Sequence, residues 1–313
     1  MSKLHQEELL SKIALNIQTL IVLTGPTGVG KTALTLDIAQ HYGLEIINAD
    51  SRQIYKELPI GTAAPTKEKL IRVKHHFVAC KSISEYYSAS LYEQEVLSLL
   101  KANPTSSYIL PGGSMMYIDA VCNGIDDIPT IDGEVRQTLM QRLEKKGLEK
   151  LCELLKELDP THWEMVDKRN PRRVLHALEV CIQTGRTYTS YRTNKKRERP
   201  FNIIKIGLNR PREELYGRIN ARTEDMIASG MIDEALRMYD CRDLNALNTV
   251  GYKELFEYLD GLTTLDEAVF KIQSNTRKYA RKQLTWFKRD KNIRWFHPNE
   301  TKEILKHIDS YLF

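Results

Sequence analysis

The sequence predicts an α/β fold: a P-loop NTPase-like parallel sheet flanked by helices, with a small all-helical inserted domain. Three observations predict it. The apolar run Leu20-Ile21-Val22-Leu23 leads into Gly25-Pro26-Thr27-Gly28-Val29-Gly30-Lys31-Thr32, which fits G-x-x-x-x-G-K-[ST] at each fixed position. Strand patterns then alternate with helix patterns, the signature of a parallel sheet with crossover helices. Between two such stretches, residues 133–200 read as one helix after another.

The elements follow in order. After the loop, Leu34, Ile38 and Ala39 recur at helical spacing as far as Gly43. Glu45 to Ala49 is a second strand, ending in Asp50-Ser51-Arg52-Gln53. Pro59 to Thr66 has loop character, and His75-His76-Phe77-Val78 is a short strand candidate. Adjacent histidines on a strand point to opposite faces, which argues against a shared metal. Ser90 and Glu93 form a potential capping box for a helix through Leu100. Ser107 to Leu110 is a strand, followed by Pro111-Gly112-Gly113-Ser114 and a helix from about Met115.

From Asp132 the pattern is helical. One helix runs to Gly147, a second to Asp159-Pro160, and a third opens on Asn170-Pro171 and closes on Gly185. The chain returns to the sheet at Ile203 to Leu208. A helix then carries Leu215, Ile219, Met226 and Ile227, Thr249 to Glu254 is a turn-to-helix junction, and a long helix spans about Leu265 to Arg289. The expected domains are therefore a core of residues 1–132 and 201–313 with an insertion of 133–200.

Composition sets limits on function. No apolar run reaches the ~20 residues that span a bilayer, so no membrane role is expected. The polar, amphipathic stretch Met1–Gln18 has no cleavage-site pattern. Five well-separated cysteines with no Cys-x-x-Cys argue against a zinc site or a disulfide framework and favour the cytoplasm. Net charge is only +5, but residues 168–199 hold ten Lys/Arg against two Glu. That clustering suits a polyanion. Residues 277–294 hold eight Lys/Arg and one acid, interleaved with Tyr279, Trp286 and Phe287, a pattern that suits RNA. Trp286 reads better as a core residue than as a stacking platform.

The loop implies a di- or triphosphate ligand without implying ATP. Its backbone N–H groups, the helix N-terminus and Lys31 favour phosphate, and the Thr32 hydroxyl suits Mg²⁺. Asp50 ends a strand on the side where α/β sheets bind ligands. It reads equally as a turn aspartate, a metal ligand or a proton acceptor. Ser114 reads as a helix cap or a ligand-contacting hydroxyl. Arg218 and Arg222, four apart on one helix, can share an anion or pair with Glu224 and Asp225. Neither later strand ends in the acid that an ATP-hydrolysing P-loop protein uses for magnesium, which favours group transfer over hydrolysis.

Taken together, the motifs resemble the bacterial tRNA dimethylallyltransferases. They are Gly-Pro-Thr-x-x-Gly-Lys-Thr, Ala-Asp-Ser-Arg-Gln-Ile-Tyr, Ile-Gly-Thr-Ala, Gly-Gly-Ser, Arg-Arg-Val-Leu-His-Ala-Leu-Glu-Val, Val-Gly-Tyr-Lys-Glu and Thr-Arg-x-Tyr-Ala-Arg-Lys-Gln-x-Thr-Trp-Phe, over residues 20–290. The resemblance implies transfer of a dimethylallyl group from dimethylallyl diphosphate to N6 of adenosine-37 in the tRNA anticodon loop, by a monomer. It implies diphosphate binding by Gly25 to Thr32, Arg222 and Arg218, and charge stabilisation by Lys31 with Mg²⁺ at Thr32. Asp50 is implied as the base, with Ser114 beside it. The implied tRNA contacts are Asp50, Ser51, Arg52, Gln53, Ser114, Arg136, Arg172, Arg173, Val174, Leu175 and His176. The chain departs from the family pattern at Ser114 (usually Thr), Met115-Met116 (usually Gly-Leu), Arg172 (usually Gln) and His176 (usually Arg). Other readings are a P-loop small-molecule kinase, an adenylate dimethylallyltransferase, and an RNA-binding module with a vestigial loop. The first two leave the basic insertion unexplained, and the third leaves Lys31 and Thr32 unexplained.

Overall fold

The computed structural model describes residues 18–193 and 196–312, so most of Met1–Gln18 and part of the basic segment 186–200 lie outside the described residues. The chain divides into two compact units, 1–122 with 199–313 and Asn123–Glu198.

The first unit is built on six parallel strands in the order β3-β2-β4-β1-β5-β6. They are β1 (Thr19–Thr24), β2 (Glu45–Ile47), β3 (His75–His76), β4 (Tyr108–Gly112), β5 (Asn202–Leu208) and β6 (Arg294–Phe296). β1 is buried along its whole length, between β4 and β5. Its side chains alternate between two cores, which is why it reads as a continuous apolar run. Leu20 and Val22 join Leu110, Tyr117 and Tyr252 on one face. Ile21 and Leu23 join Leu36, Ile206 and Ile304 on the other.

Helices cover both faces. They are α1 (Lys31–Tyr42), α2 (Lys67–Arg72), α3 (Ala89–Ala102) and α4 (Met115–Asn123). The helical unit contributes α5 (Gly133–Leu158), α6 (Pro160–Met165), α7 (Pro171–Thr184) and α8 (Tyr188–Tyr191). The chain ends with α9 (Arg212–Ala228), α10 (Met231–Arg237), α11 (Tyr252–Leu259), α12 (Leu265–Phe287) and α13 (Thr301–Leu312).

Three local expectations are corrected. α3 is capped by Ser88, whose hydroxyl accepts the Leu91 N–H, and not by Ser90. Glu93 is buried against Arg199 instead of reaching back to a cap. The expected strand 75–78 stops at His76, because Phe77 turns to a positive φ of 62°. His75 and His76 bond different partners, the Val73 carbonyl and the Glu45 carboxylate.

In the helical unit, Asp132 caps α5, and Asn170 with Pro171 opens α7. Gly147, at φ 76° and ψ 169°, breaks α5 into two helical segments, as the sequence predicts. Leu139, Leu151, Leu155, Val174 and Leu178 form its core. The unit begins at Asn123 rather than at 133. Asn123, Thr130 and Asp126 are bonded to Arg197, Gln183 and Thr193 of the same unit, which ties 123–132 to it.

Candidate active site

The carboxyl ends of β1, β2 and β4 gather the site residues of the first unit. The strand ends approach closely. A Cβ on Gly112 would lie 2.2 Å from the Ala49 carbonyl oxygen, so only glycine lets β4 close on the segment leading to Asp50. Ala49 N–H donates to the Pro111 carbonyl at 2.8 Å, and Ser114 N–H donates to Ala49 at 3.2 Å. Asp50 and Ser114 are thereby brought to the mouth of the phosphate loop.

The loop Gly25–Thr32 turns through left-handed Gly30 into α1. Val29 points into the core, so the loop offers backbone there and not a side chain. Lys31 Nζ donates to the Gly25 and Pro26 carbonyls at 2.8 and 2.9 Å. Arg218 Nε donates to the Gly28 carbonyl at 2.9 Å, and Arg222 donates to Thr27 Oγ1 at 2.6 Å. Among the described residues neither arginine pairs with Glu224 or Asp225; Glu224 instead accepts from Gln273. Burial, and next the Arg222 charge, push the Lys31 ammonium down to about 7, against the pull of Asp50. Burial likewise lowers Arg222, and Arg218 adds to it while Asp50 opposes. Such a cluster of cations in a concave, partly dry site is built for a polyanion.

Asp50 Oδ1 accepts the Arg52 and Gln53 N–H groups at 2.9 and 3.2 Å. Ser114 Oγ accepts the Ser51 N–H at 2.8 Å and donates to Ser51 Oγ at 3.1 Å. Asp50 therefore is a turn aspartate, and it also faces open space. Three cavities adjoin it. The largest, about 530 Å³, is lined by Thr27, Lys31, Thr32, Asp50, Arg218 and Arg222 among others. A second, about 370 Å³, is lined by Asp50, Ser51, Arg52, Ser114, Val250 and Ile272 among others. A third of about 60 Å³ reaches Lys31, Thr32, Asp50, Gln53 and His75. The two large cavities share Asp50, Thr27, Thr62, Arg222 and Tyr279.

Several site residues were not among the contacts expected from the sequence, although Tyr279 was part of the basic-aromatic block. Gln283 is buried and bridges the site, accepting the Thr27 N–H and donating to the Gly113 carbonyl, each at 2.8 Å. Tyr279 lines both large cavities. Burial and the Asp50 charge raise its hydroxyl to about 12, although Arg52 and Gln283 oppose. With Ile272 and Thr276, these two form a stripe at steps of four, three and four residues on α12, the face of one helix. Arg281 and Lys282 in the same block are exposed. Trp286 faces the core and donates to Asp119 at 2.8 Å. The basic-aromatic block thus has a neutral cavity face and a charged outer face. Gln283 could have been found by its i+4 spacing from Tyr279.

The remaining expected residues lie in the helical unit. Arg136 donates to Glu179 at 3.0 Å. His176 Nδ1 is 3.6 Å from the same carboxylate. Arg172 and Arg173 are exposed in the first turn of α7. Val174 and Leu175 are buried among Leu139 and Leu151, so their side chains pack the unit's core and the expectation that they touch RNA is corrected.

The IPP transferase family model matches residues 53–290. The chain belongs to this family. It is 58% identical to tRNA dimethylallyltransferase 1 of Phocaeicola vulgatus, over 93% of this chain and 98% of that one. It is 56% identical to tRNA dimethylallyltransferase 1 of Bacteroides fragilis, over 94% and 98%. These matches extend the likeness beyond the stretch that the family model covers. Among solved structures, the full-length tRNA isopentenylpyrophosphate transferase of Bacillus halodurans is similar. Its TM-score is 0.68 at 34% identity, covering 94% of this chain and 97% of that one. A eukaryotic dimethylallyltransferase seen acting on tRNA has a TM-score of 0.72 at 26% identity, covering 86% and 69%. The parallel sheet flanked by helices is thus the fold of this enzyme family.

Proposed function

We propose that the chain is a prenyltransferase that moves a dimethylallyl group from dimethylallyl diphosphate to tRNA, at N6 of adenosine-37 in the anticodon loop. The observation that carries this reading is Asp50 lining both large cavities at once. One cavity carries the cations that a diphosphate requires. The other, with Ser51, Arg52 and Ser114 beside apolar Val250 and Ile272, has the mixed lining that a purine needs. A carboxylate between them can receive a proton from a base in one while the leaving group departs into the other.

The chemistry balances on these residues. The adenine amine attacks C1 of the allyl group, and the new C–N bond forms as the C1–O bond to diphosphate breaks. The amine proton goes to Asp50, whose Oδ1 is held by two backbone N–H groups. Lys31, Arg222 and Arg218 stabilise the growing charge on the diphosphate. They sit on neutral oxygens that incoming phosphate can replace. An adenine stacked in a loop must swing out to reach Asp50.

Magnesium fits this donor set. Thr32 and Asp50 present hard oxygen donors on the diphosphate cavity, and Mg²⁺ typically takes one or two protein oxygens with the rest from phosphate and water. Thr32 would hold it, and it would neutralise the departing diphosphate. The reading has the chain act as a monomer in the cytoplasm, with the cations of the helical unit, Arg172 and Arg173 among them, on the RNA backbone.

Incubation with labelled dimethylallyl diphosphate and Mg²⁺, with tRNA, AMP or ATP in separate reactions, tests it. Label is expected in tRNA alone. Label on AMP would support the adenylate transferase instead, and phosphate transfer from ATP to a small molecule would support the kinase.

A further inference from the structure

The segment 59–65 roofs the site. Gly61 and Thr62 line the cavity assigned above to the base, Thr62 and Ala63 line the diphosphate cavity, and Pro65 reaches the third. It contributes mostly backbone, so its position depends on what grips that backbone. Two side chains do so. On one side Gln53 Nε2 donates to the Thr62 and Ala63 carbonyls, both at 3.1 Å. On the other, the carboxylate of Glu234, on α10, accepts the Ile60 N–H at 2.9 Å and the Gly61 N–H at 2.7 Å. The Tyr252 hydroxyl, at the start of α11, donates to the same carboxylate at 2.5 Å.

Glu234 is 0% exposed and faces no cation among the described residues. A lone buried carboxylate is costly, and three converging donors are what make it tolerable here. The fit is also steric. A Cβ on Gly61 would lie 2.5 Å from the Tyr252 hydroxyl and 2.6 Å from its ring, so this turn requires glycine. Ala63 is held in a left-handed conformation at φ 52°, a strain that the clamp on both sides maintains. Glu234 lines none of the three cavities described above.

We propose that Glu234 is a positioning residue, which with Tyr252 latches the segment 59–65 over the junction of the two large cavities and so sets the approach of the base to the allyl carbon. The proposal rests on the transfer reading given above. Glu234→Gln keeps the size of the side chain but turns one acceptor into a donor facing a backbone N–H. The result expected is faster amide hydrogen exchange across 59–65 with exchange in β1 unchanged. Single-turnover transfer should fall about tenfold to a hundredfold, since small misplacements cost that much, while tRNA affinity in a filter-binding assay stays the same.

Tyr252→Phe removes one of three donors and should move both readouts the same way by less. It decides the matter if Glu234→Gln does not fold. Unchanged exchange across 59–65 overturns the latch. Faster exchange with a transfer rate within about twofold of the parent overturns the positioning role, because a merely structural bond changes stability and not rate. If the parent protein transfers no label to tRNA, the transfer reading falls instead, and hydrogen exchange alone decides whether Glu234 holds the segment.

Discussion

The cations around the phosphate loop and those beside Glu179 in the helical unit have opposite kinds of partner. Around the phosphate loop, Lys31 donates to two backbone carbonyls, Arg218 to another, and Arg222 to a hydroxyl. None of the three is ion-paired with a carboxylate among the described residues. In the helical unit, Arg136 and His176 both face Glu179, a carboxylate only 7% exposed. Neutral acceptors are weak competitors, so an arriving diphosphate can take the first set of donors over. A carboxylate is a strong one, so the second set is held in place whether or not RNA is bound. On the proposed reading, the difference separates cations that would act on the leaving group from cations that hold a shape.

The largest test of this contrast is Asp50, the acid that lines both large cavities. Asp50→Ala should lower single-turnover transfer by about a thousandfold, within the 10²–10⁴ typical of a lost general base. tRNA binding should change little, since the cations remain. Transfer at the parent rate would remove Asp50 from the chemistry.

Lys31→Met follows, with a loss of about a hundredfold, the scale of one missing charge-stabilising donor. The same variant carries a pH signature. Lys31 sits near 7 in the folded protein against 10.5 for an ordinary lysine. Between those values the unfolded chain binds the extra proton, so stability rises with pH through that window. Urea denaturation from pH 7 to 10 should therefore show the parent gaining stability relative to Lys31→Met. Parallel curves would mean that Lys31 stays charged without its ligand.

How much of this was legible in the sequence follows the range of each interaction. β1 and its loop, and α7 between Asn170 and Gly185, were readable because apolar period and caps are local signals. That β4 and β5 end without an acid was readable as well, from the strand ends alone. Glu93 was misread because its partner Arg199 lies 106 residues away. Glu234 gave no signal, since a helix glutamate is ordinarily solvated and its donors come from residues 60, 61 and 252. Gln283 was hidden in a run of cations whose charge drew attention to the outer face of α12. Val174 and Leu175 came with a motif, and only burial separates the arginines of that motif from its packing residues.

The smallest expected effect lies in the helical unit. Burial pushes the Glu179 carboxyl up, but His176 and Arg136 outweigh it and hold the group below its ordinary value. Glu179→Gln removes the charge and keeps the shape. Arg136 is about half exposed, so the pair contributes modestly to stability. If Arg136 meets RNA, as the resemblance implies, the value of the pair is geometric: without the carboxylate, Arg136 samples many rotamers and would have to be ordered again on binding. tRNA affinity should fall about threefold, on the scale of ordering one long side chain, with the single-turnover rate at saturating tRNA unchanged. That split is the reverse of the one expected for Asp50. A fall in the saturated rate would mean that the helical unit shapes the reacting centre, and the division between gripping and chemistry would have to be redrawn. Tighter binding would mean that Glu179 restrains Arg136 from phosphate, and the carboxylate would then be a brake on the RNA surface.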